Sequence, residues 1–131
     1  MRTSVGIVLV SHSPLLGAGV RELVEQLGGG SAVVAVAAGT EDGELGTSSE
    51  LIAQAVREVD GGAGVVVLPD LGSAVLTARA VLAELGRAEE VVLVDAPFVE
   101  GAVAAVVTAS TGAGLAEVVR AAREAWQARK S

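Results

Sequence analysis

Four short aliphatic runs alternate with segments of helical length along this chain, and this alternation restricts the possible folds more than any other feature. The runs cover residues 5–10, 32–38, 64–69 and 91–94, and none of them contains an ionisable side chain. Such runs are typical of strands buried on both faces of a parallel sheet. Strands joined by helices are parallel, because antiparallel neighbours need only a short turn. The sequence therefore predicts an α/β fold with an open, mainly parallel sheet of four strands and helices on both faces.

Helical periodicity occupies the segments between and after these runs. Apolar side chains from Leu16 to Leu27 share one face of the first helix, and Gly28 to Gly30 end it. An acidic, turn-rich segment at residues 40–48 is predicted to be a loop. The other predicted helices lie around residues 52–59, 73–85, 100–110 and 115–129. In the last of them, Trp126 is predicted to pack on the apolar face.

Composition excludes several classes of protein. The 131 residues are 51% hydrophobic, which suits one domain with a sizeable core. Cysteine is absent, so disulfides and thiolate metal sites are excluded, and the cytoplasm is the expected compartment. A net charge of −7 with only 9 lysines and arginines disfavours nucleic-acid binding. The first apolar run is far shorter than the roughly 20 residues that span a bilayer, so no membrane association is expected.

His12, the only histidine, lies at the carboxyl end of the first predicted strand. Ser13 and Pro14 come next and predict a helix start, since a serine hydroxyl accepts from an unpaired amide and proline at the first helical position has none to pair. The imidazole therefore lies beside a helix N-terminus, where unpaired amides and the helix dipole favour an anion such as phosphate.

Polar residues follow each of the four strands and so collect at one edge of the predicted sheet, which is where open α/β sheets bind ligands. They are His12, Gly39-Thr40, Asp70 and Asp95. A carboxylate bonded to one imidazole nitrogen fixes the tautomer and leaves the other nitrogen as a nucleophile, and Asp70 on the adjacent strand is the candidate for this role. The alternative is that Asp70 merely caps the third helix.

Phosphoryl transfer requires donors for the phosphate oxygens as well as a nucleophile. The amides around Ser13, and Gly72-Ser73 at the start of the third helix, are candidates. Thr47 or Ser48 caps the second helix, and Thr47 is the candidate of the two for a contact with phosphate. No cofactor is predicted, because metal-ligand spacings, a Gly-x-Gly-x-x-Gly motif and a phosphate loop are all absent from the sequence.

Four motifs in order carry a family resemblance: Val8-Leu-Val-Ser-His-Ser13, Ala37-Ala-Gly39 followed by Gly46-Thr47, Pro69-Asp-Leu-Gly-Ser-Ala74, and Ala96-Pro-Phe-Val-Glu-Gly-Ala102. Together they resemble the phosphotransferase subunits M (DhaM) of phosphoenolpyruvate-dependent dihydroxyacetone kinases. These subunits are similar in turn to mannose-family enzyme IIA domains of the sugar phosphotransferase system. The resemblance covers nearly the whole chain.

The resemblance implies a function as well as a fold. His12 would be phosphorylated by the histidine phosphocarrier protein and would pass the phosphoryl group to ADP on kinase subunit L, so that subunit K phosphorylates dihydroxyacetone. Asp70 matches the carboxylate near the histidine, and Gly72-Ser73 matches the loop that faces it. The resemblance also implies a homodimer. We expect residues 1–131 to form a single enzyme IIA-type domain without a fused phosphocarrier or enzyme I-like domain.

Three other functions remain open from the sequence. A mannose-class sugar-transport enzyme IIA would use the same chemistry with a different acceptor. A tetrapyrrole metal chelatase also ends its first strand in a histidine-serine pair, and a silent interaction module would have kept only the fold. If His12 serves two proteins in succession, its surroundings should be shallow and exposed, with Leu15, Leu16 and the Thr40–Thr47 loop at the rim.

Overall fold

The computed structural model describes residues 4–28, 31–87 and 89–131. Ten elements follow one another in the chain. They are β1 (Gly6–Ser11), α1 (Pro14–Leu27), β2 (Val33–Ala38), α2 (Ser49–Val59), β3 (Val65–Pro69), α3 (Gly72–Leu85), β4 (Val91–Leu93), α4 (Phe98–Ser110), α5 (Leu115–Glu124) and a 3-10 turn (Ala125–Gln127).

The four strands form one parallel sheet in the order β2-β1-β3-β4. This confirms the predicted fold class. The chain leaves β1 toward β2 on one side and later returns to place β3 on the other side. Strand order therefore reverses between β1 and β3, and the crevice at such a reversal is where open α/β sheets bind ligands.

Alternate residues of the central strand face two separate cores. Ile7 and Leu9 pack with side chains from α1, α4 and α5, while Val8 and Val10 pack with side chains from α2 and α3. Because side chains alternate between the two faces of a strand, residues that continue β1 alternate in the same way. Ser11 is thus directed toward the side of the sheet covered by α1, α4 and α5, and His12 toward the side covered by α2 and α3.

Helix α1 begins as predicted, with Pro14 in its first turn and Ser13 as its N-cap. The Ser13 hydroxyl accepts a hydrogen bond from the Leu16 amide at 3.2 Å. Gly17 then allows α1 to approach β2 closely, since a Cβ at this position would lie 2.7 Å from Val36 Cγ1. Gly28 is the C-cap, whereas Gly29 and Gly30, also predicted to end this helix, lie outside the described residues.

The carboxyl-terminal prediction is wrong in its extent. Helix α5 ends at Glu124 and not near residue 129, and the chain continues in a 3-10 turn. Trp126 is not packed on the apolar face of a helix, because the residue is 60% exposed. Its indole nitrogen instead donates a hydrogen bond to the Asp95 carbonyl, which ties the chain end to the segment after β4.

Within the described ranges, every helix is either too short or too polar to cross a membrane.

Candidate functional site

His12 and Asp70 meet where β1 and β3 end side by side. The Nδ1 atom of His12 lies 2.9 Å from Oδ1 of Asp70. The Asp70 side chain is nearly buried, with 6% exposed, whereas the His12 side chain is 24% exposed. The carboxylate thus lies beneath the imidazole, and the ring remains open to solvent on its other side.

The second oxygen of Asp70 is also occupied. Its Oδ2 accepts hydrogen bonds from the His12 backbone amide and from the Ser11 hydroxyl, both at 3.0 Å. Burial acts to raise the pKa of Asp70, but hydrogen bonds from the backbone and side chain of His12 and from Ser11 outweigh it, so the pKa is lowered. The carboxylate is therefore ionised at neutral pH and can only accept hydrogen bonds.

Ser73 faces the other nitrogen of the ring. Its hydroxyl lies 2.7 Å from Nε2 of His12. Since an ionised Asp70 accepts from Nδ1, the neutral ring carries its proton on Nδ1 and presents a lone pair at Nε2. The Ser73 hydroxyl then donates to that lone pair.

Asp70 does not cap α3, so the capping alternative is excluded. The N-cap residue of α3 is Leu71, which makes no side-chain cap hydrogen bond. The first amides of α3 consequently lack a side-chain partner from the N-cap residue, although helices normally satisfy these donors in some way. The uncapped turn begins with Gly72 and Ser73, directly beside the imidazole.

The segment between β2 and α2 also reaches the site. The Gly39 amide donates to the Ser11 carbonyl and the Gly46 amide donates to the His12 carbonyl, both at 2.9 Å. Ser48, not Thr47, caps α2. The Thr47 hydroxyl is hydrogen-bonded to the Thr77 hydroxyl of α3 at 3.0 Å, so its contact with phosphate stays a prediction.

Apolar side chains next to the histidine are open to solvent. Leu15 is 86% exposed and Leu16 is 43% exposed, while Leu45 in the loop is 77% exposed. The His12 side chain itself is 24% exposed, so it is not sealed below the loop, in agreement with the predicted accessible surface.

Sequence reasoning missed Ser11. Its side chain is fully buried and hydrogen-bonded to both Asp70 and the Ser13 amide. A polar residue that ends an otherwise aliphatic strand, immediately before the only histidine, was the available signal. Of the other predicted residues, the site brings together His12, Asp70 and Ser73, and Ser13 joins them through Ser11.

No cluster of three or more histidine, aspartate or glutamate side chains suited to a metal ion occurs among the residues described. Asp95, at the end of the fourth strand, is exposed and contributes its carbonyl to the Trp126 bond.

The structure thus places a histidine paired with a carboxylate at the switch point of an open parallel sheet, and sequence comparison identifies the family. Residues 6–119 match the EIIA-man family, the PTS system fructose IIA component. The chain therefore belongs to this family.

Curated relatives within the family are DhaM subunits, which confirms the resemblance. In Escherichia coli, the phosphoryl donor subunit DhaM of PEP-dependent dihydroxyacetone kinase is 40% identical over 131 residues, covering 96% of this chain and 28% of that protein. In Listeria innocua, the DhaM subunit of PEP-dependent dihydroxyacetone kinase 2 is 35% identical over 105 residues, covering 79% of this chain and 84% of that protein. The chain thus matches less than a third of the first relative and most of the second.

Solved structures show the same architecture. A crystal structure of a protein of unknown function has a TM-score of 0.80 and 34% identity, and the match covers 95% of each chain. The dihydroxyacetone kinase of C. freundii has a TM-score of 0.62 and 17% identity over 94% of this chain and 25% of that one. This second likeness concerns the fold alone.

Proposed function

We propose that this protein is the phosphohistidine relay subunit of a phosphoenolpyruvate-dependent dihydroxyacetone kinase. His12 accepts a phosphoryl group from the histidine phosphocarrier protein and passes it to ADP bound on subunit L. The ATP formed there phosphorylates dihydroxyacetone on subunit K. The protein acts in this scheme as a cytoplasmic phosphotransferase that needs no cofactor of its own.

The observation that carries the proposal is the ordered contact from Asp70 through the imidazole to Ser73. Asp70 accepts from Nδ1 at 2.9 Å, and Nε2 faces the Ser73 hydroxyl at 2.7 Å. The carboxylate orients the ring and selects the tautomer in which Nε2 is the nucleophile. We therefore assign phosphorylation to Nε2.

The transfer step follows from this geometry. The Nε2 lone pair forms a bond to phosphorus while the bond between phosphorus and the donor's imidazole nitrogen breaks, and that electron pair stays with the donor. Positive charge develops on the His12 ring as the new bond forms. The proton on Nδ1 then faces the ionised Asp70 carboxylate, which stabilises the charge without itself taking the proton.

The same surroundings supply donors for the phosphate oxygens. The Ser73 hydroxyl must release Nε2 when the ring attacks, and it then lies within reach of an oxygen of the new phosphoryl group. The uncapped start of α3 at Gly72 and Ser73 favours an anion, as does the start of α1 after Ser13. Thr47 is the fourth candidate.

Partner proteins must reach the imidazole from solvent. The exposed edge of His12 and the exposed leucines at positions 15, 16 and 45 support docking of a protein at this face. The phosphocarrier protein and subunit L would use it in turn. We also propose a homodimer, which sedimentation equilibrium tests directly.

Intact mass spectrometry tests the proposal. The protein is incubated with phosphoenolpyruvate, enzyme I and the histidine phosphocarrier protein, with His12→Ala as a parallel sample. We expect a gain of one phosphate that is acid-labile and absent from the variant. No gain from a donor pair that demonstrably charges another acceptor would contradict the relay function and favour the chelatase or the silent module.

A second step separates the kinase from a sugar-transport enzyme IIA. The phosphorylated protein is mixed with subunit L and ADP, and ATP formation is followed together with loss of the protein-bound phosphate. Discharge by subunit L supports the function in dihydroxyacetone kinase. The curated DhaM relatives of this protein are phosphoryl donor subunits of such kinases. Phosphate that stays on the protein with active subunit L favours sugar transport.

Absorbance titration with a sirohydrochlorin-type tetrapyrrole tests the chelatase.

A further inference from the structure

Ser11 is a buried polar residue at the end of an otherwise apolar strand. Among residues 4–28, 31–87 and 89–131, it is the only polar or charged residue that is buried, with 0% exposed. Burying a hydroxyl is unfavourable unless its hydrogen bonds are made. Its neighbours in β1 are aliphatic, so an alanine would satisfy the requirements of the core at this position.

Both hydrogen bonds of the Ser11 hydroxyl go to the functional site. The hydroxyl donates to Oδ2 of Asp70 at 3.0 Å. The hydroxyl oxygen of Ser11 in turn accepts a hydrogen bond from the Ser13 amide at 3.1 Å. Since an ionised carboxylate can only accept, the single hydroxyl proton belongs to the Asp70 bond, and a lone pair remains for the Ser13 amide.

The alternation of side chains explains why this position reaches both partners. Ser11 continues the side of β1 that faces α1, whereas His12 continues the side that faces α3. Asp70, at the end of the neighbouring strand, is contacted from both sides, by Ser11 on Oδ2 and by the His12 ring on Oδ1. The carboxylate is thus held at two atoms by consecutive residues.

We propose that Ser11 is a positioning residue for phosphoryl transfer. Its hydroxyl fixes the plane of the Asp70 carboxylate and joins it to the amide at the start of α1, so that the ring of His12 and the helix N-terminus keep one relative orientation. The predicted effect on transfer rests on the function proposed above. The predicted effect on the imidazole tautomer does not.

Three variants test this role. Ser11→Ala removes the hydroxyl, leaving Asp70 Oδ2 with one donor and the Ser13 amide without its acceptor. Ser11→Thr keeps a hydroxyl. Ser110→Ala is the matched control, because Ser110 donates to the Val106 carbonyl within α4, away from the site. Circular dichroism and thermal unfolding establish that each variant is folded.

The first readout is the rate at which the phosphocarrier protein phosphorylates each variant. We expect Ser11→Ala to be about tenfold slower than the wild type, the size of effect produced by losing one hydrogen bond to a charged group. Ser11→Thr should recover most of the rate, and Ser110→Ala should equal the wild type. A rate for Ser11→Ala equal to that of the wild type would overturn the proposal, as would a folded Ser11→Thr that is as slow as Ser11→Ala.

The second readout is nitrogen NMR of the His12 ring in the unphosphorylated protein. The wild type should show a protonated Nδ1 and an unprotonated Nε2, and Ser11→Ala should show a larger share of the other tautomer. A purely structural serine would leave these signals unchanged, and that result would overturn the proposal. If the wild type accepts no phosphate at all, the relay function fails, yet the tautomer measurement still decides the role of Ser11.

Discussion

Oδ1 of Asp70 lies 2.9 Å from Nδ1 of His12, although 58 residues separate the two in the chain. The register of the sheet produces this contact. Val10 of β1 is paired with Pro69 of β3 as the last pair of these adjacent parallel strands, so Asp70 comes directly after that pair and His12 two residues after it. The crossover from β1 to β3 runs through α1, β2 and α2, so the order of the strands determines that these two residues meet.

Replacing Asp70 by asparagine should slow phosphorylation of His12 by about 10- to 100-fold, because the amide neither selects the Nδ1 tautomer nor balances charge on the ring. Single-turnover transfer from the phosphocarrier protein, sampled by quench and intact mass, measures the rate. Glu84→Gln, an exposed change of equal charge on α3, is the control. Equal rates for both variants would contradict an orienting role for Asp70.

Replacing Ser73 by alanine should shorten the lifetime of the phosphohistidine. The hydroxyl beside Nε2 is placed to donate to a phosphate oxygen. Loss of one such hydrogen bond should shorten the half-life by about two- to tenfold. The half-life of the phosphorylated protein at neutral pH provides the measurement, with Ser49→Ala, an exposed change in α2, as the control. A half-life unchanged from the wild type would show that Ser73 does not hold the phosphate.

Thr47 and Thr77 form a matched pair of test positions. Valine at either position removes the hydrogen bond between their hydroxyls and should lower stability by about 1 kcal/mol. If Thr47 also binds phosphate, only Thr47→Val should reduce the phosphorylation rate beyond what this loss explains. Urea unfolding and transfer rates, measured on both variants, separate the two roles. Identical transfer rates would assign Thr47 a structural role.

Stability should depend on Asp70 in acid. Its pKa in the folded protein is lowered from the ordinary value of 3.8. The ionised carboxylate therefore stabilises the fold fully above that value, and the contribution is lost as the pH falls through the folded pKa. Urea unfolding from pH 6 to about pH 2 should show the wild type losing stability more steeply than Asp70→Asn below about pH 4. Parallel curves for the two proteins would contradict the lowered pKa.

Gly39 and Gly43 separate backbone strain from steric overlap. Both adopt positive φ, 73° and 81°, but only at Gly39 would a Cβ collide, lying 2.7 Å from Pro14 Cγ at the start of α1. Gly43→Ala should cost about 1 kcal/mol of unfolding free energy, for strain alone. Gly39→Ala should cost about 3 kcal/mol or more and should also slow phosphorylation, since it displaces the helix start beside His12. Equal losses in urea unfolding would contradict the overlap.

Much of the site follows from local sequence. The aliphatic run that ends at His12 and the Ser13-Pro14 helix start are local signals, because strand burial and helix capping depend on neighbouring residues. Both occur as predicted. The carboxyl terminus was harder to predict. The helical periodicity of the sequence continues through Trp126, but the chain leaves the α-helix for a 3-10 turn there. In that turn the Trp126 indole is hydrogen-bonded to the Asp95 carbonyl, a tertiary contact.

The sequence by itself determined the element types, the parallel connection of the strands and the placement of one histidine beside a helix N-terminus. Tertiary structure alone decided whether Asp70 contacts the imidazole of His12 or caps the third helix. Its carboxylate bonds His12 and Ser11 rather than capping α3, because β3 lies next to β1 and both oxygens find donors across that boundary. The same packing buried Ser11 beneath α1 and gave its hydroxyl two partners. Contacts between distant segments depend on strand order and register, which local patterns of hydrophobicity do not encode.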